Sequence, residues 1–70
     1  MMEEKITAWV ARDKVENRIY LYLYKPHKNP KGWWYLETDK CKVIDNKLFP
    51  QVKWEDEEPT EVELIIKICN

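Results

Sequence analysis

Between residues 6 and 12 (Ile-Thr-Ala-Trp-Val-Ala-Arg) apolar side chains occupy both parities, the pattern of a strand covered on two faces. Asp13 to Asn17 is a short polar connection, in which Asn17 best tolerates a left-handed backbone. Residues 18–24 then alternate: Ile19, Leu21 and Leu23 fall on one side, Tyr20, Tyr22 and Tyr24 on the other. These two segments predict a β-hairpin. Residues 25–32 hold Pro26, Pro30 and Gly32 and read as a loop. Further strands are expected at 33–37 and 41–44, joined by a turn at Thr38-Asp39-Lys40. Asp45 to Pro50 suits one capped helical or 3₁₀ turn, with Asp45 accepting free backbone N–H groups. Val52 to Trp54 is a brief extended piece, and 55–60 an acidic loop broken by Pro59. In the final strand, 61–69, Val62, Leu64, Ile66 and Ile68 share a face, opposite Glu61, Glu63, Ile65, Lys67 and Cys69. The pattern predicts an all-β chain: a four- to five-stranded antiparallel meander, curled into a small sheet or half-barrel, with one short helical turn near 45–50.

Composition strengthens that reading. Val, Ile, Thr, Tyr, Trp and Phe far outnumber the two alanines, and β-branched and aromatic side chains fit a pleated, half-buried surface. All four prolines fall in expected loops. Seventy residues allow one domain, spanning 1–70. A core of this size removes only about 60% of the surface that the unfolded chain exposes, so each large apolar residue matters. No apolar stretch approaches the roughly 20 residues of a spanning helix, and no signal region precedes the first strand. The expectation is a soluble, cytoplasmic protein without a membrane partner, in which Cys41 and Cys69 are free, partly buried thiols, the alternative being a disulfide that ties the last strand to the middle of the chain.

Candidate chemistry narrows quickly. The chain contains no serine, so a Ser-His-Asp arrangement is excluded. A Cys-His dyad would need the single histidine, His27, to meet Cys41 or Cys69, yet His27 stands in a Pro-flanked loop. One glycine cannot build a phosphate-cradling loop. Glu37 and Asp39 share a face if their strand continues, but a general acid also needs a desolvated cleft. The run Glu55-Asp56-Glu57-Glu58 lacks the alternating oxygens and turn glycine of a calcium loop. No enzyme, metal or cofactor is expected.

Charge adds a second pattern. The net charge of −1 conceals segregation: residues 25–53 hold seven lysines against Glu37, Asp39 and Asp45, whereas 55–63 hold six acids and no base. Lys25, Lys28 and Lys31 beside Trp33, Trp34 and Tyr35 suggest a nucleic-acid site, with lysines on phosphates and rings stacking on bases. Against it, tryptophans are the best core candidates and the acidic run repels phosphate if it lies nearby. Acidic mimicry of DNA by 55–63 is a weaker third idea, because one short run is a poor copy of a phosphate ladder. The row Tyr20, Tyr22, Tyr24 faces away from its aliphatic neighbours; it suggests either protein binding, since tyrosine supplies area together with a polar handle, or a second layer in which the Trp-bearing segment covers it. The final strand, if it forms a sheet edge, offers pairing to a protein partner or to its own copy.

The run Leu48-Phe49-Pro50-Gln51-Val52-Lys53-Trp54-Glu55-Asp56-Glu57-Glu58-Pro59-Thr60-Glu61-Val62-Glu63-Leu64, with Val10 to Lys14, Tyr20-Leu21-Tyr22 and Lys25-Pro26, resembles short uncharacterised proteins encoded by prophages and mobile elements of gut bacteria. The resemblance implies a small accessory protein of a phage or prophage. It implies no catalytic residue.

Overall fold

The structure, a computed structural model, describes residues 2–38 and 41–68. Its strands are β1 (Met2–Arg12), β2 (Ile19–Tyr22), β3 (His27–Asn29), β4 (Trp33–Tyr35), β5 (Cys41–Ile44) and β6 (Thr60–Ile68). The fold is all-β. β1 and β2 form the expected antiparallel hairpin, in the register Trp9 with Tyr22 and Arg12 with Ile19. The four-stranded sheet runs β5-β2-β1-β6, and β3 and β4 make a separate two-stranded sheet. The strands therefore do not follow one another as a meander: β6 returns to pair with β1, and β4 leaves the main sheet. With β5 and β6 as edges, the sheet stays open.

Pairing divides the main sheet into two covered faces, which accounts for the apolar character of β1 on both parities. Val10 and Ile19, both fully buried, pack with Val52, Leu21, Ile44, Phe49 and Val62 on one face. Ala11 and Tyr22 pack on the other with Trp34, Trp9, Tyr20, Leu36 and Trp54. Each fully buried aliphatic side chain contributes about 1.5–3 kcal/mol, so Val10, Ile19 and Val52 carry much of the stability of so small a domain. Ala11, with only a methyl group, leaves room for the indole of Trp34 above the sheet. Because Val52 belongs to one cluster and Trp54 to the other, the segment between them wraps around the margin of the sheet.

Three local expectations are revised. The loop assigned to 25–32 contains β3, whose residues His27, Lys28 and Asn29 are too polar to announce a strand. The helical turn expected near 45–50 is a hydrogen-bonded turn: Leu48 N donates to Asp45 O at 2.9 Å, and Asp45 Oδ1 accepts from Lys47 N as anticipated. It does not propagate, because Phe49 takes a φ of 51°. The one 3₁₀ turn among the described residues is Val15–Asn17, where Asn17 adopts the left-handed backbone expected of it (φ 53°) and Glu16 does so as well (φ 62°). The turn at Asp39-Lys40, the Asp39 carboxylate and Cys69 lie outside the described residues.

The β3–β4 hairpin is anchored to the end of β1. Asp13 Oδ1 accepts from Trp34 N at 2.9 Å, and Gly32 O accepts from Lys14 N and Val15 N. Gly32 has a φ of 127°, a backbone conformation that other residues rarely adopt, and a Cβ there would stand 3.0 Å from Val15 Cγ2, so the position favours glycine.

Candidate interaction site

The tyrosine row is divided by depth. Tyr22 is buried and donates its hydroxyl to Trp34 O at 3.4 Å. Burial, together with the neighbouring Asp13, pushes its phenol pKa well above the usual value. Tyr20 is half-buried with its ring centroid 6.1 Å from that of Tyr22, and only Tyr24 is exposed. The Trp-bearing hairpin covers Tyr22 and part of Tyr20 but not Tyr24, so the three do not present one open surface.

The Lys/Trp loop is divided as well. Trp34 is buried, whereas Trp33 and Tyr35 project from the outer side of β4, with His27 stacked at a tilt 5.7 Å from Tyr35. Lys28 points inward: its Nζ lies between the Trp34 and Trp54 rings and donates to Trp54 O and Asp56 O. Lys25 pairs with Glu58 at 3.0 Å. The acidic loop thus lies against the basic one, and they share a polar cleft of about 330 Å³ with His27 and Pro59. Of the six residues, Lys31 and Trp33 are exposed without a side-chain partner among the described residues, Tyr35 is exposed against His27, and Glu57 and Glu58 stand beside Lys25 and Lys28.

Arg12 was not singled out by its residue type. It is 8% exposed, lies on the same parity as Val10, and donates to the carbonyls of Val52, Asn17, Asn46, Leu48 and Phe49. A guanidinium fork suits this convergence of acceptors, and it holds segment 46–52 on the sheet. A cleft of about 550 Å³ opens beside it, lined by both Asp13 and Glu55 and both Lys14 and Lys53. Its mixed charge favours no one ligand class. Burial raises the Asp13 pKa above the usual carboxylate value, and the hydrogen bond from Trp34 N opposes that shift.

His27 belongs to the small sheet and Cys41 begins the β5 edge, so the fold places them in different sheets. The Cys41 thiol is exposed rather than partly buried. Glu37 is exposed, and Asp56 Oδ2 accepts from Lys53 N within its own loop. No described helix is long and apolar enough to cross a membrane.

Part of the exposed apolar surface lies on an arm. β1 pairs with β6 from Met2 to Val10 but with β2 only from Trp9 to Arg12. Its first seven residues therefore belong to a two-stranded ribbon. The ribbon lengthens the molecule to 44 × 26 × 17 Å and its radius of gyration to 12.9 Å. A compact chain of this length would have about 11 Å. Ile6, Ile65 and Ile66 are exposed on the arm, Leu64 is half-buried, and the outer edge of β6 has no neighbour among the described strands. The sequence marks this edge through its alternation, but the overhang depends on where β2 stops. Family models, curated proteins and solved structures all yield no match to this chain.

Proposed function

We propose that this chain is a non-catalytic binding protein that engages a protein partner by strand addition along β6. One observation carries the reading: β6 is a nine-residue edge strand, without proline or glycine, on a two-stranded arm that exposes isoleucines. Edge strands are ordinarily guarded by proline, bulges or charge, because their free N–H and C=O groups template pairing; the charges on β6 are Glu61, Glu63 and Lys67, and the rest of the strand is apolar apart from Thr60. A two-stranded ribbon alone is marginal in water and gains stability from a third strand. The open edge replaces the tyrosine row as the preferred surface, since Tyr22 is covered. The nucleic-acid reading loses ground because Lys28 and Lys25 are engaged within the protein. A phage or prophage origin rests on the sequence resemblance alone.

The test is affinity capture with three baits: wild type, the arm variant Ile65→Lys/Ile66→Lys, and the control Tyr24→Ala/Trp33→Ala. The arm variant is expected to lose the partner and the control to keep it. Capture unchanged by the arm variant, or abolished by the control alone, would overturn the edge reading.

A further inference from the structure

We infer that the partner for β6 is a second copy of this chain, joined through an antiparallel β6–β6 pair about a twofold axis. The inference rests on the edge reading above and adds the occupant and the register. Three features of the strand support it.

The first is charge. A twofold axis perpendicular to the sheet keeps both copies facing the same way, so paired residues must have the same parity. Centred on Leu64, the pair sets Lys67 opposite Glu61 of the second copy and Val62 opposite Ile66. Centred on Ile65, it sets Lys67 opposite Glu63 and Leu64 opposite Ile66. Centred on Glu63, the strand would meet itself glutamate to glutamate, and centred on Val62 it would oppose Glu61 with Glu63. Opposed like charges destabilise a ladder and opposite charges stabilise it, so the strand favours the two registers that give its lysine a carboxylate partner.

The second is the apolar face. Val62, Leu64 and Ile66 lie on the face shared with Ile6 and Ala8, by their pairing with β1. Both favoured registers set aliphatic side chains beside aliphatic side chains across the new seam, where Ile66 is otherwise 44% exposed. The third is strand count. The joined arms give the order β1-β6-β6-β1, four strands in place of a marginal two-stranded ribbon. The other edge, β5, has only four residues and carries Lys42 and an exposed Cys41, so it offers no comparable seam.

Sedimentation equilibrium on the intact chain tests the inference, with far-UV circular dichroism to verify folding of each variant. Wild type is expected to be a concentration-dependent dimer that does not grow further, since a twofold edge pair closes. Lys67→Glu, acting at both ends of the seam, is expected to weaken dimerisation about tenfold. A second change, Glu61→Lys or Glu63→Lys, is expected to restore it, and the one that succeeds identifies the register. Lys67 also pairs with Glu3 within the chain, but neither rescuing residue faces Glu3, so rescue separates the seam from the arm itself. A monomeric wild type overturns self-pairing, as does a dimer indifferent to Lys67→Glu, an unrescued Lys67→Glu or open-ended growth. If self-pairing fails while Ile65→Lys/Ile66→Lys still abolishes partner capture, the edge reading stands with a different occupant. If capture is also unaffected, both fall.

Discussion

The Lys28 ammonium stands 4.3 Å from the centroid of the Trp54 ring and donates a 2.7 Å hydrogen bond to the Trp54 carbonyl. The Trp34 ring lies 5.4 Å away, and Asp56 O accepts a second bond at 2.9 Å. A lysine that the alternative, nucleic-acid reading of the sequence puts on phosphate is instead a clamp between the small sheet and the acidic loop.

Lys28→Met keeps the apolar stem but removes both hydrogen bonds and the cation–π contacts. It is expected to cost about 2 kcal/mol, measured as a lower midpoint in urea unfolding. Oligonucleotide binding at low salt by the wild type, steeply weakened by added salt and lost in Lys31→Ala, would revive the nucleic-acid reading; the expected result is no binding.

Arg12 holds five backbone carbonyls that its loss would leave without that donor. Arg12→Met is expected to lose about 3 kcal/mol or more, a large share of the stability of a 70-residue domain. Arg12→Lys retains the charge but not the fork, and should fall between the two in a denaturant titration. Equal stability of all three proteins would show that segment 46–52 is held by Val52 and Phe49 alone.

Asp13 carries a raised pKa, so the folded protein binds a proton more readily there than the unfolded chain does. Its contribution favours folding below the ordinary carboxylate pKa of 3.8 and is lost as pH rises through the folded value. Asp13→Asn keeps an oxygen for the Trp34 N–H and removes the charge. Thermal unfolding across pH should show the variant gaining on wild type as pH rises above 3.8, with no such gain below it. A gap that is constant with pH would contradict this.

Glu16 occupies a left-handed conformation that costs an L-residue about 1–2 kcal/mol. Its ion pair with Arg18 joins two side chains that are both more than half exposed, and it returns little of that cost. Glu16→Gly is expected to stabilise the domain by about 0.5–1 kcal/mol after the greater chain entropy of glycine is counted. Asn17→Gly should give less, because asparagine already tolerates this conformation. Comparison of the two variants by chemical denaturation isolates the backbone effect.

The alternation of 18–24 and 61–69 and the two-parity run of 6–12 determined the all-β class, the first hairpin and the face on which each side chain of β6 lies. These are local matters, because a period of two assigns sides without reference to any partner. Which strands become neighbours, and what covers each face, was settled only by long-range packing. β6 returns to β1 because Ile6, Ala8 and Val10 present small and aliphatic residues to Leu64 and Val62, a match between positions more than fifty residues apart. The same limit hid β3, whose inward residue is a lysine, and Arg12, whose five acceptors are backbone atoms and leave no mark in composition. It also left open whether the tyrosine row is free or covered by the Trp-bearing segment, since alternation shows that Tyr22 leaves the aliphatic face but not what lies on the other side. The bare arm follows from unequal strand lengths: β1 extends past the start of its pairing with β2, and only tertiary structure shows that nothing in the described chain fills the space beside it.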